Sequence, residues 1–382
     1  MFADTIDAHI MGGYKFLMQS CEVNAIPLLV NPDLHFLKDK PGDRICIFGF
    51  SRGAYTARCL AGMLHKVGLL PPNNSEQVPF AYTIFRRTVD AFGRTQAKEF
   101  KRAFSTTVDI EFLGVWDTVG SVGFRPEKPP FSASTTFIKT YRHAISLDER
   151  RAKFQANPWN KHLSREEQLE ARSSSGPSTD IQEVWFAGCH SGTFLTRIPL
   201  RWMVREIFRA NAGVLFLTDR LYTIGLDPST IYPLVRNRPA PLPVGEHQIL
   251  EPCRKELPFR PSIFGPKYPT TWDSEPPKTG PAAMLESEEH EELKDALSPI
   301  YDHMSIKKWW WLLEYIPLPL RCLRNGKSTT RLGFNLGRPR VVESPMLHRS
   351  VKMRMEAKAE YMYKKYEPKA KLPDSEKPTW VD

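Results

Sequence analysis

The stretch that decides the fold is RICIFGFSRGAYTARCLAGMLHKVGLL, residues 44–70. Arg44 to Phe48 is a short apolar run rich in β-forming residues, the pattern of a buried strand in a parallel sheet. Ala54 to Val67 reads as a helix, ended by Gly68 and then by Pro71-Pro72. Between them lies G-x-S-x-G, residues 49–53. A strand running into the first glycine and a helix leaving the second make the sharp turn that presents a serine nucleophile. Gly49 and Gly53 are expected to give clearance to a strained serine backbone. The first N–H groups of the helix, including that of Arg52, are expected to stabilise an oxyanion.

Ser51 alone is a weak nucleophile. It needs an imidazole to take its proton and a carboxylate to orient that imidazole. In α/β-hydrolases these follow in the order Ser, acid, His. VDIEFLGVW, residues 108–116, reads as a second strand and runs into Asp117; EVWFAG, residues 183–188, reads as a third and precedes His190. Both candidates follow the C-terminal ends of strands, the edge where sites form in open parallel sheets. Asp109 and Asp148 are rival acids and His143 a rival base. Asp148 and His143 fall in YRHAISLDERRAKF, residues 141–154, which reads as a helix with a solvated, salt-bridged face.

Residues 1–20 carry apolar positions at helical spacing, and residues 21–43 read as an irregular connection. A helical stretch is expected over 78–104, an exposed loop over 164–180, and a helix over 197–213, starting near Pro199 and stopping at Gly213. Strands alternating with helices predict an α/β fold with a mostly parallel sheet and helices on both faces. Three regions follow: a catalytic domain over 1–235, a proline-rich linker or cover over 236–285, and a helical, basic extension over 286–382 that packs on the first. Within the extension, LESEEHEELKDAL reads as an acidic helix with a solvated face. VKMRMEAKAEYMYKKYEPKAK reads as a basic helix that stops before Pro368. In SIKKWWWLLEYIPLPL, Lys307 and Lys308 precede three tryptophans, which suits either a core-packing segment or a membrane interface.

The 382 residues are 41% hydrophobic and 25% charged, enough for a sizeable core and unlike a disordered chain. The net charge of +10 favours anionic surfaces. No aromatic-basic module or helix-turn-helix pattern accompanies it, so no nucleic-acid partner is expected. Six scattered cysteines have no C-x-x-C spacing, which suits a reducing compartment and argues against a metal site. No signal-peptide pattern or membrane-length apolar run stands out, so a cytoplasmic location is expected.

Five blocks in order carry a family resemblance: GFSRGAYTAR with LAGMLHKVGLL, FLGVWDTVGSVG, RHAISLDERRAKF, EVWFAGCHS and RIPLRWMVREIF. Together they resemble the α/β-hydrolase-like catalytic domain of type VI secretion phospholipase effectors, fungal members in particular. The resemblance covers about residues 7–210 and, more loosely, 300–370. It implies a serine esterase or lipase with Ser51 as nucleophile, Asp117 as acid and His190 as base, no cofactor and no metal. Bacterial relatives in the family act on phospholipids; an ester or lipid substrate is expected here, and the basic charge with Lys307, Lys308 and the three tryptophans suits peripheral contact with an anionic membrane.

Two departures from the family pattern bear on activity. The family's first strand, with its Asp-Gly-Thr motif, has no counterpart ahead of the first helix, as in a truncated member. After His190 the chain runs Ser191, Gly192, Thr193, Phe194, a shortened loop. The alternative to a serine carboxylester hydrolase is therefore a catalytically defective relative that acts as a binding or scaffold module.

Overall fold

The computed structural model describes residues 2–20, 43–87, 91–119, 137–159, 178–190, 194–250, 280–324, 327–342, 345–359, 365–373 and 377–382. The architecture is α/β. Strands β1 (Ile45–Phe50), β2 (Ile110–Trp116), β3 (Ile138–Ser146), β4 (Asp180–Phe186), β8 (Met346–His348) and β10 (Thr379–Val381) form a six-stranded sheet in that order. Pairing is parallel between β1 and β2, β2 and β3, β4 and β8, and β8 and β10. The chain divides into two compact units, residues 1–145 with 153–183, and residues 146–152 with 184–382.

In the first unit, helix α1 (Phe2–Ser20) buries Ile6, Ile10, Tyr14 and Met18, one residue every turn. Tyr14 ties it down: its hydroxyl donates to the Gly68 carbonyl at 2.8 Å and accepts from Leu70 N–H at 2.9 Å. Burial pushes that phenol up to about 12. Helix α2 (Arg52–Val67) is buried along most of its length and ends at Gly68, φ 72°. A Cβ there would lie 2.7 Å from Ser105 Cβ, so both conformation and space require glycine. The stretch expected to be helical over 78–104 is two helices, α3 (Val78–Arg86) and α4 (Ala91–Phe104). Strand β1 is buried on one face only: Ile45 and Ile47 are in the core, while Phe48 and Phe50 are exposed. It is the first strand in the sheet order, with no described strand on its other side.

Residues 141–154 are not a helix. Tyr141 to Ser146 are the end of β3, followed by turns and a single 3-10 turn, Ala152–Phe154. A strand covered on both faces shows no alternation, and its polar members here have private partners. Arg142, 4% exposed, pairs with Asp180 at 2.5 Å, and His143 pairs with Glu183.

In the second unit, helix α5 (Phe194–Arg209) is followed by α6 (Thr218–Thr223), the short strand β5 (Gln248–Ile249) and helix α7 (Glu288–Ala296). The acidic helix α7 is not solvated. Glu288, Glu291, Glu292 and Asp295 are buried, and all but Glu292, which pairs with Arg238 and Arg349, meet arginines spaced by one turn on α5. Arg197 meets Glu291 and Asp295, Arg201 meets Asp295, and Arg205 meets Glu288. Charges at such depth need partners, and here the partners lie about ninety residues away in sequence.

Beyond α7 come α8 (His303–Ile306), α9 (Trp310–Glu314) and the antiparallel hairpin β6 (Leu318–Arg324) and β7 (Lys327–Gly333). The basic helix is shorter than expected: α10 (Arg349–Glu356) ends well before Pro368 and is followed by β9 (Lys358–Ala359). The irregular connection expected over 21–43, most of the 164–180 loop and much of the proline-rich stretch lie outside the described residues.

Candidate active site

Ser51 sits between β1 and α2 with φ 60° and ψ −121°. A non-glycine residue in that region costs on the order of 1–3 kcal/mol and persists only when its surroundings enforce it. The enforcement is visible. Ser51 N–H donates to the Trp116 carbonyl at 2.9 Å, and the Ser51 carbonyl accepts from Tyr55 N–H at 3.3 Å. Gly49 is sterically required: a Cβ would lie 2.5 Å from the Gly53 carbonyl oxygen and 2.8 Å from Ala54 Cα. Gly53 differs from expectation, because a Cβ there would meet nothing described within 4 Å. Arg52 and Gly53 are exposed at the helix start. The Ser51 side chain does not cap the helix, and no acid lies in its first turn. The N-terminal N–H groups thus begin a turn without an anionic side chain of its own.

Asp117 leaves the adjacent strand at the same edge, since Phe50 and Trp116 are register partners. It is 1% exposed, has φ 43°, and donates its N–H to the Ala144 carbonyl at 2.7 Å. The next residue, Thr118, donates its N–H to His143 Nε2 at 3.1 Å. His143 Nδ1–H goes to Glu183 Oε1 at 2.9 Å, and that oxygen also accepts from Trp159 N–H. Because Nε2 accepts a backbone N–H it carries no proton, so His143 is neutral with both ring nitrogens engaged. Burial pushes its pKa below the ordinary histidine value. The rival base is therefore a brace for the Asp117 turn. The rival acid Asp109 is exposed and precedes β2, at the opposite end of the strand from Ser51 and Asp117.

His190 belongs to the second unit and is 3% exposed. Its N–H donates to Glu149 Oε2 at 3.2 Å. Two residues earlier, Gly188 (φ 119°) donates its N–H to Asp148 Oδ2 at 2.6 Å. Asp148 is not on a solvated face, as expected from a helical reading, but 1% exposed. It also accepts from the Tyr366 hydroxyl and from Lys369 N–H. Burial raises its carboxyl above the usual range, against the hydrogen bonds that lower it. The loop whose shortening was expected, Ser191–Thr193, lies outside the described residues. Glu149 and Glu183 were not anticipated. Their signal was a carboxylate beside an arginine in SLDERR and one at the head of an apolar strand, neither specific without the fold.

A serine held in a strained turn between a parallel strand and a helix, with an aspartate leaving the neighbouring strand at the same edge, belongs to an α/β fold with a mostly parallel sheet. The chain belongs to the family described as "T6SS, Phospholipase effector Tle1-like, catalytic domain", whose model matches residues 1–206. It is 40% identical over 164 residues to the uncharacterized protein YEL023C of Saccharomyces cerevisiae, covering 40% of this chain and 21% of that one. A crystal structure of an uncharacterized protein from Pseudomonas aeruginosa is 24% identical, with a TM-score of 0.24, over 47% of this chain and 26% of that one. The chain thus spans about a fifth to a quarter of the length of these two relatives.

Proposed function

We propose that the protein is a serine carboxylester hydrolase acting on lipid esters, with Ser51 as nucleophile, Asp117 as acid and His190 as base. The observation that carries this reading is the strained Ser51 turn. A non-glycine backbone at φ 60° and ψ −121° is strained, and strain of this kind clusters at active sites. In this reading Ser51 Oγ attacks the ester carbonyl while His190 takes its proton. Asp117 stabilises the resulting imidazolium, and N–H groups at the start of α2 take the oxyanion. The alcohol leaves with the proton from His190, and water then hydrolyses the acyl-serine by the reverse proton path. The membership in a phospholipase effector family supports a lipid ester as substrate class.

An anionic phospholipid surface is the proposed peripheral partner. Trp309, Leu312 and Tyr315 on and beside α9 are exposed, as are Leu332, Phe334 and Leu336 at the end of the hairpin. They adjoin, because the Glu314 carboxylate accepts from Gly337 N–H and a Cβ on Gly337 would touch the Trp311 ring. A cleft of 310 Å³ opens among Leu320, Leu332, Phe334, Leu336 and the guanidiniums of Arg331 and Arg338. Apolar rings beside cations suit headgroups above and acyl chains below.

The test is reaction with a fluorophosphonate probe and hydrolysis of a short-chain nitrophenyl ester, each by wild type and by Ser51→Ala. Labelling confined to wild type is expected. Equal hydrolysis by both proteins, or a folded wild type that takes no label, sinks the enzymatic reading and leaves the scaffold alternative.

A further inference from the structure

Glu149 makes one more contact than its own turn needs. The side chain is 2% exposed. Its Oε1 accepts from the N–H groups of Arg150 and Arg151 at 3.0 and 2.8 Å, and from Arg151 Nε at 3.0 Å. Its Oε2 accepts from Arg151 Nη2 at 2.8 Å. That fork already balances the charge and closes the turn. The remaining bond leaves it altogether: Oε2 also takes the His190 N–H. Arg151 holds the carboxyl of Glu149 below its usual range despite burial, so the acceptor offered to His190 is a carboxylate.

The neighbouring acid completes the attachment. Asp148 N–H donates to the Gly188 carbonyl at 3.0 Å, while Gly188 N–H donates to its side chain. The thiol of Cys189, between them, donates to the Asp148 carbonyl at 3.4 Å. Residues 188, 189 and 190 are therefore each bonded to Asp148 or Glu149. Bonds from N–H to a charged acceptor are shorter and about twice as strong as neutral ones.

We propose that Glu149, locked by Arg151, is a positioning residue that sets the backbone of His190 and through it the direction of the imidazole; this rests on the reading of His190 as the base. A carboxylate can accept from all five donors at once. An amide cannot: on the Oε2 side its NH₂ faces both Arg151 Nη2 and the His190 N–H, and on the Oε1 side it faces Arg151 Nε and the N–H groups of Arg150 and Arg151, donor against donor in either case.

The experiment compares Glu149→Gln and Arg151→Lys in the full chain. It measures kcat and KM on the nitrophenyl ester, fluorophosphonate labelling of Ser51, and the folded fraction by circular dichroism. Glu149→Gln is expected to lower kcat about tenfold to a hundredfold with KM little changed, the loss that a small misplacement of a catalytic group brings. Arg151→Lys keeps the charge but loses the fork, and is expected to lower kcat about threefold to tenfold. Glu292→Gln, a buried carboxylate that touches neither loop, is expected to lose stability and keep its kcat per folded molecule. If Glu149→Gln does not fold, Arg151→Lys decides the matter. Wild-type kcat in a folded variant overturns this inference alone. A wild type that neither turns over nor labels overturns the hydrolase reading and this inference with it.

Discussion

The N–H of Ser51 points at the carbonyl of Trp116, 2.9 Å away on the neighbouring strand, so the serine turn is pinned from outside its own helix. The two flanking glycines do not share the steric load. Gly49→Ala drives a methyl to 2.5 Å from the Gly53 carbonyl, where only backbone can give way. A loss of about 2–3 kcal/mol is expected from overpacking. Gly53→Ala meets open space inside a helix and should be neutral or stabilising by up to about 1 kcal/mol. Urea denaturation of the two variants checks the contrast; equal destabilisation would count against the turn as described.

Much of this turn was legible in the sequence because all of its signals are local. The apolar run 45–48, Gly49 and the helix stop at Gly68 lie within a span of two dozen residues. Other features were not legible because their causes are distant. Strand β3 hides behind Arg142 and His143, whose partners Asp180 and Glu183 come some forty residues later. The acidic helix α7 looked like a surface because its arginines sit on α5; the four-residue spacing of Arg197, Arg201, Arg205 and Arg209 was the available hint. The hairpin β6–β7 had a stronger one, Asn325-Gly326 between two short segments, a composition that favours two-residue hairpins. Asp117 and His190 stood out as candidates by their place after strand ends, while the contact of Glu149 with His190 joins residues some forty positions apart and has no local signal.

Glu292 joins Arg238 and Arg349 while 1% exposed. Burial raises its pKa, but the two arginines and His348 outweigh that and hold it down to about 2. Glu292→Ala takes the carboxylate from the buried Arg238 guanidinium and leaves Arg349 with Asp382 and the Pro239 carbonyl; it is expected to cost about 3–5 kcal/mol. Lys139 and Glu111 form a pair of similar length with the lysine 56% exposed. Glu111→Ala should cost no more than about 1 kcal/mol. Chemical denaturation measures both, and similar losses would mean that burial is not what gives the α7 pair its weight.

Acid should destabilise the fold in two stages. Burial pushes His65 down to about 4 and His348 down to about 3, from 6.5. Below pH 6.5 the unfolded chain takes up these protons and the folded chain does not, so stability falls as pH drops from about 6.5 toward 4 and 3. The slope is about 1.4 kcal/mol per pH unit per histidine. Glu292 acts in the lower window: its contribution is full above pH 4.5 and is lost as pH falls toward 2. His348→Asn tests the upper stage, because Asn can replace Nδ1 in accepting the Ser350 N–H at the start of α10. Melting temperature against pH should be flatter for this variant between 6.5 and 4. An unchanged profile would show that His348 is not a source of the acid limb.

The exposed rings of α9 and the hairpin end set a final expectation, on lipid. Vesicles with an anionic headgroup should bind the chain more tightly than zwitterionic ones, and added salt should weaken the difference. Each lysine or arginine near such a surface contributes about 1 kcal/mol, within a Debye length. Lys308, Arg331 and Arg338 are exposed beside the apolar residues, and Lys307 is half-buried. Trp309→Glu with Leu312→Glu removes two apolar side chains that are 56% and 75% exposed and puts anions in their place. Cosedimentation should fall at least about tenfold, since burying even one such side chain contributes about 1.5–3 kcal/mol. Rates on a soluble nitrophenyl ester should stay unchanged, because neither residue is assigned to the reacting centre. Undiminished vesicle binding by the double variant would move the lipid contact elsewhere on the protein, and binding indifferent to lipid charge would remove the cations from the account.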